Sequence, residues 1–222
     1  MCRAIKGLLI KDFKLMKSQM RFFFAIMVVW GVFMANRMNL SFFVGYIAIL
    51  CSFMTLTTLN YDEFENGSSY LMTLPVSRKD YILEKYLFGF LITMVPYLAA
   101  GALSWIVLVL QGAGPNFMEY LLSTSISLPM AYLLLILEIP LQIKCGQEKS
   151  RVISGILIGM MSAGIAIISH LSKMIDINGI EIVNSILGLS MGVLVLIVAA
   201  VLVLLILISF KISCKIMEKK EF

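Results

Sequence analysis

Apolar side chains gather in six long runs along the 222 residues, at 22–36, 40–59, 86–110, 120–141, 152–171 and 183–210, with short polar connections between most of them. Most runs reach or exceed the roughly 20 residues that cross about 30 Å of hydrocarbon at about 1.5 Å per residue. The pattern predicts an all-α integral membrane protein with six transmembrane helices in a single domain over residues 1–222. The first run is short, and Arg21 and Arg37 at its ends would complete it by snorkelling.

The chain ahead of the first run has a different period. At about 100° per residue, Ile5, Leu8, Leu9, Phe13, Leu15, Met16 and Met20 share one arc, and Arg3, Lys6, Lys11, Lys14, Lys17 and Arg21 fall outside it. Residues 1–21 are therefore expected to form an amphipathic helix on the inner leaflet, with its lysines near anionic headgroups. Asp12 lies on the apolar arc, so part of this face is expected to meet protein. The leader reads equally as a topology anchor or as an element that transmits motion.

Charge then orients the spans. Of the 18 Lys and Arg residues, sixteen fall before the first run, in the second and fourth connections and after the sixth run; the alternate connections hold only Arg37 and Lys173. The positive-inside rule places both termini in the cytoplasm. The net charge of +5 is thus a topology signal, and nucleic acid is not an expected partner. Composition agrees with a bilayer, since 60% of residues are hydrophobic and 14% charged, against about 25% charged in soluble domains. The four cysteines imply no disulfide framework, because Cys2, Cys145 and Cys214 fall on the inner side and Cys51 inside the second run.

The outer connections are short and rich in turn residues, as in Gln111-Gly112-Ala113-Gly114-Pro115-Asn116. Pro96 and Gly101 are expected to kink the third span. Gly155-x-x-x-Gly159 and Gly188-x-x-x-Gly192 set small residues on one helix face, read as internal packing ahead of a subunit interface. The lone histidine, His170, has no partners for metal or nucleophilic chemistry and reads as an interfacial side chain. Glu138, about three residues from the inner end of the fourth span, reads as bonding a basic partner, touching cargo or snorkelling. No phosphate-cradling G-x-x-x-x-G-K-[ST] motif is present, so any nucleotide-driven work requires a separate ATPase.

The longest polar interruption, residues 60–85, mixes both charge signs with apolar groups. Ser77 is positioned to cap a helix running into the third span. A topology loop needs only a few residues, so this segment reads as a docking surface ahead of a solvated linker. Asp62-Glu63, Gly67, Leu74-Pro75-Val76-Ser77-Arg78-Lys79 and Lys85-Tyr86 resemble the segment between the second and third spans of small bacterial permeases of the type-2 ATP-binding-cassette exporter family. Pro140-Leu141-Gln142-Ile143-Lys144-Cys145-Gly146-Gln147-Glu148-Lys149-Ser150-Arg151 is similar to that family's turn between spans four and five, with Cys145 where an aromatic is more usual.

The resemblance implies a permease subunit in the bacterial cytoplasmic membrane. It would pair with a second permease copy or a paralogue and with cytoplasmic ATPase subunits that carry ATP and Mg; no cofactor is expected on this chain. Asp62, Glu63, Glu65, Leu74, Pro75, Arg78, Lys79, Asp80 and Lys85 would couple to the ATPase, with Lys144, Gly146, Glu148, Lys149 and Arg151 forming a second cytoplasmic turn. Export of amphipathic peptides, antimicrobials or drugs is the activity implied. The membrane-embedded substrate-binding subunit of a vitamin importer and a non-transporting membrane anchor are the alternatives.

Overall fold

The computed structural model describes residues 2–36, 40–64, 67–73, 76–112, 116–125, 127–175 and 191–220. Every regular element among them is helical: α1 (Cys2–Asn36), α2 (Leu40–Glu63), α3 (Gly67–Thr73), α4 (Arg78–Leu110), α5 (Phe117–Ser125), α6 (Ser127–Ile175) and α7 (Met191–Lys219). Four stretches of the described residues are long and apolar enough to cross a membrane, Phe42–Glu63, Arg78–Leu110, Phe117–Gly146 and Leu196–Lys219. They correspond to the second, third, fourth and sixth apolar runs. The first run lies in α1 and the fifth in the second arm of α6. Residues 37–39, 113–115 and 176–190, which include the start of the sixth run, lie outside the described residues.

Local signals account for the helix ends. Ser77 is extended (φ −77°, ψ 149°) and its hydroxyl accepts from the Asp80 amide at 3.0 Å, so it caps α4 as its sequence position predicts. Asp80 in the first turn complements the helix dipole. At the other end, Gly112 takes φ 67° and closes the helix in a left-handed turn that glycine adopts without strain. Gly146, at φ 74° and ψ 174°, breaks the helical path of α6 into two arms. These arms carry the fourth and fifth apolar runs, and the Ser154 hydroxyl in the second donates to the Glu138 carboxylate in the first, tying them together.

The interfacial leader expected at residues 1–21 is not a separate element. Leader and first run form one 35-residue helix, about 52 Å long at about 1.5 Å per residue. The reason is visible in its packing: the leader's apolar arc finds protein. Leu8 joins Leu59, Ile82 and Ile139 in one buried cluster, Met16 joins Met54, Phe88 and Ile92 in a second, and the Phe13 and Phe88 rings meet edge to face at 5.2 Å.

Lipid tails are as apolar as leucine, so helix association inside a membrane depends on close packing and hydrogen bonds more than on burial from water. Two glycines make that packing possible here. A Cβ on Gly45 of α2 would come 2.7 Å from the Cβ of Ser127 on α6, and one on Gly89 of α4 would come 3.3 Å from both Leu135 and Thr55. α2 thereby sits between α4 and α6. Gly155, by contrast, is exposed, with nothing within 4 Å of an added Cβ among the described residues.

Candidate functional site: the basic end of the bundle

The two sequence stretches that stand out, 60–85 and 140–151, meet at one end of the molecule. The last turn of α2, the start of α4, the bend of α6 and the final turn of α7 converge there. Lys220 donates to the Glu63 carboxylate at 3.0 Å and to the Ile143 carbonyl at 3.2 Å, linking all but α4. A Cβ at Gly146 would lie 3.8 Å from Glu63 Oε2. Gln142 donates to the Leu56 carbonyl at 3.1 Å and to Asn60. Arg78 completes the closure by donating to the carbonyls of Met217 at 2.9 Å and Glu218 at 2.6 Å, near the C-terminus of α7. A cation there satisfies carbonyls that have no partner within the helix.

Behind this end lies a knot of buried charge. Lys85 is fully buried, and its ammonium group donates to Asp12 of α1 and to the Thr58 hydroxyl of α2 at 3.3 Å. It also pairs with Asp62 of α2 at 2.7 Å. Lys11 bridges Asp62 and Asp12, the latter at 3.2 Å, and the Tyr81 hydroxyl donates to Asp62 Oδ2 at 3.0 Å. Glu84, also fully buried, lies 3.8 Å from the Lys85 ammonium with neither oxygen hydrogen-bonded among the described residues. Three acids therefore face two bases where α1, α2 and α4 meet. An isolated buried charge costs several kcal/mol, so each member depends on the others remaining in place.

This geometry divides the residues singled out in the sequence. Asp62, Asp80 and Lys85, expected on a docking surface, are buried, and the first and last are engaged with one another. Arg78 is committed to α7 and Glu63 to Lys220. Lys79 is exposed and pairs with Glu218 at 3.7 Å. Lys144, Glu148 and Lys149 are exposed around the bend at Gly146. Glu65, Leu74 and Pro75 lie outside the described residues, as do the side chains of Arg151 and His170. Glu138 is buried and bonded to Ser154, an uncharged partner that the sequence reading did not name.

Tyr70 is among the apolar groups that the sequence reading finds in residues 60–85, but Tyr61 and Phe64 beside it are not singled out there. Tyr61, Phe64 and Tyr70 are 46%, 68% and 69% exposed at the end of α2 and on α3. Their clustering within ten positions of the chain was the available signal. Among the described residues no group of His, Cys, Asp and Glu could hold a metal ion.

The model of the ABC-2 family of transporter proteins matches residues 7–218. The chain belongs to that family. The match covers three of the four described stretches able to cross a membrane in full and the fourth up to its last residue but one, together with both stretches that converge at the basic end. No curated protein and no solved structure matches the chain. Membership makes the protein a multi-pass membrane permease, a transmembrane subunit that is not itself catalytic. It also implies association with an ATP-binding subunit.

Proposed function

We propose that this ABC-2 permease is an exporter subunit that moves an amphipathic peptide, antimicrobial or drug-like cargo across the bacterial cytoplasmic membrane, driven by ATP and Mg on a separate ATPase. Its apolar runs cross the membrane six times with both termini inside, and it works with a second permease copy or a paralogue. The ATPase docks on the basic end, where Phe64 and Tyr70 anchor it and Lys144 and Lys149 flank them. The single observation that carries this reading is the convergence of α2, α4, α6 and α7 on one surface by the Arg78, Lys220 and Gln142 bonds. A push on such a surface moves several spans together, which is what coupling requires. Asp62, Asp80 and Lys85 serve the same coupling from inside, as the rigid support beneath that surface.

The test is co-purification of the detergent-solubilised permease with the ATPase encoded beside it, comparing wild type with Phe64→Ser/Tyr70→Ser. Buried aromatic anchors carry much of the energy of an interface, so the double variant should lose its stoichiometric ATPase while still inserting in the membrane. Full retention of the ATPase by the variant would remove the docking assignment.

A further inference from the structure

The basic half of the bundle carries an apolar groove of about 320 Å³ between α4, α6 and α7, walled by Leu83, Leu87, Phe90, Tyr132, Ile136 and Leu207 among others. That is near the lower end of the roughly 300–1,000 Å³ of small-molecule sites. The groove opens at the molecular surface, where Leu87, Phe90 and Leu207 are 40%, 48% and 53% exposed. Its walls belong to the stretches Arg78–Leu110, Phe117–Gly146 and Leu196–Lys219, all able to cross a membrane, so the opening faces hydrocarbon. Polar groups near it are already committed: Tyr86 bonds Ser209 at 2.6 Å and Ser213 at 3.0 Å, and Ser209 donates to the Ile136 carbonyl at 2.6 Å. The walls therefore ask for an occupant with no hydrogen bonds to make.

The mouth has a different character. Lys79 lies one turn before Leu83, and Lys211 one turn beyond Leu207, each about 40° around its helix from that wall residue at about 100° per residue. Both lysines are exposed; Lys79 also pairs with the exposed Glu218 carboxylate at 3.7 Å, a surface pair weak enough for a phosphate to replace. A molecule that leaves a chain in the groove and a negative group at the mouth satisfies both halves. We infer that this groove is a binding site for an anionic phospholipid, one acyl chain lying between α4, α6 and α7 and the headgroup phosphate held by Lys79 and Lys211. Basic sites between transmembrane helices near the membrane surface favour such headgroups. Two lysines against the one carboxylate of Glu218 leave the mouth net positive, which disfavours a cationic amphipathic peptide as the occupant.

Native mass spectrometry of the full chain in detergent, titrated with phosphatidylglycerol and with phosphatidylcholine of identical acyl chains, tests the site without calling on transport. Wild type should bind one phosphatidylglycerol with a preference of about fivefold, the factor that one net positive charge near an anionic headgroup supplies. Lys79→Gln/Lys211→Gln, both surface changes, should bring the two lipids to near parity, and Leu83→Trp, which fills the groove near its mouth, should remove the adduct of either. Equal binding of the two lipids by wild type, or a preference that survives Lys79→Gln/Lys211→Gln, overturns the inference. So does a second copy of the chain, or a cationic amphipathic peptide, held in the groove in place of lipid.

Discussion

Lys85 ties together three helices through contacts that no local sequence signal announces: its partner Asp12 is 73 positions away. Asp12 itself was legible as the one acid on an otherwise apolar arc, which marked that face as meeting protein. Asp62 and Lys85 were not, because a charged residue in a polar stretch reads as solvated unless its partners are known. The knot makes a sharp prediction. Lys85→Met leaves Asp12 and Asp62 with Lys11 as their remaining base, and loss of one partner of a buried pair costs about 3–5 kcal/mol. Denaturant or thermal unfolding in detergent should register that loss, and Asp12→Asn/Asp62→Asn/Lys85→Met should recover most of it by removing the stranded charges. A loss from Lys85→Met no larger than the roughly 1 kcal/mol of a surface pair would mean that water reaches the knot.

Helices were the most legible elements, and their ends followed local chemistry at Ser77 and Gly112. What the run pattern could not supply was their relation to one another. The leader's amphipathic period fits a membrane surface and a protein surface equally well; only Leu8, Met16 and Phe13 in contact with α2 and α4 distinguish the two. The bend at Gly146 was recognised as a turn, but its conformation was not, since nothing in the sequence gives a φ of 74° with ψ near 174°. Backbone there lies in a region open almost only to glycine, and a side chain costs about 1–3 kcal/mol. Gly146→Ala should therefore destabilise the permease by that amount and loosen the Lys220 contacts with Glu63 and Ile143. Faster hydrogen exchange over residues 140–151 and at the end of α7 would report it. Unchanged exchange at both places would show that the bend and the α7 terminus are mechanically separate.

At the scale of the whole molecule the two ends are chemically unlike, and the difference carries the topology. The basic end gathers the ion pairs found among the described residues and the exposed Tyr61, Phe64 and Tyr70, and the stretches that the charge rule assigns to that side hold sixteen of the eighteen Lys and Arg residues. The opposite end closes through Tyr120, which donates to the Gly101 carbonyl at 2.7 Å, and through Trp105 packed on Phe117. Aromatic rings with one polar edge suit a membrane boundary. If six crossings place the basic end inside, single cysteines in a cysteine-free background should sort by side. In intact cells a membrane-impermeant maleimide should modify Asn36→Cys, at the end of α1, and Asn116→Cys, just before α5. It should leave Lys14→Cys, Lys149→Cys and Lys215→Cys unmodified until the membrane is opened. Asn36→Cys is the informative position, because α1 is not among the four stretches of the described residues that qualify as spans. Its protection together with Lys14→Cys would mean that α1 stays on the inner side and that α2 makes the first crossing. The labels at Asn116 and Lys149 would then exchange sides, and the charge rule would fail for this chain.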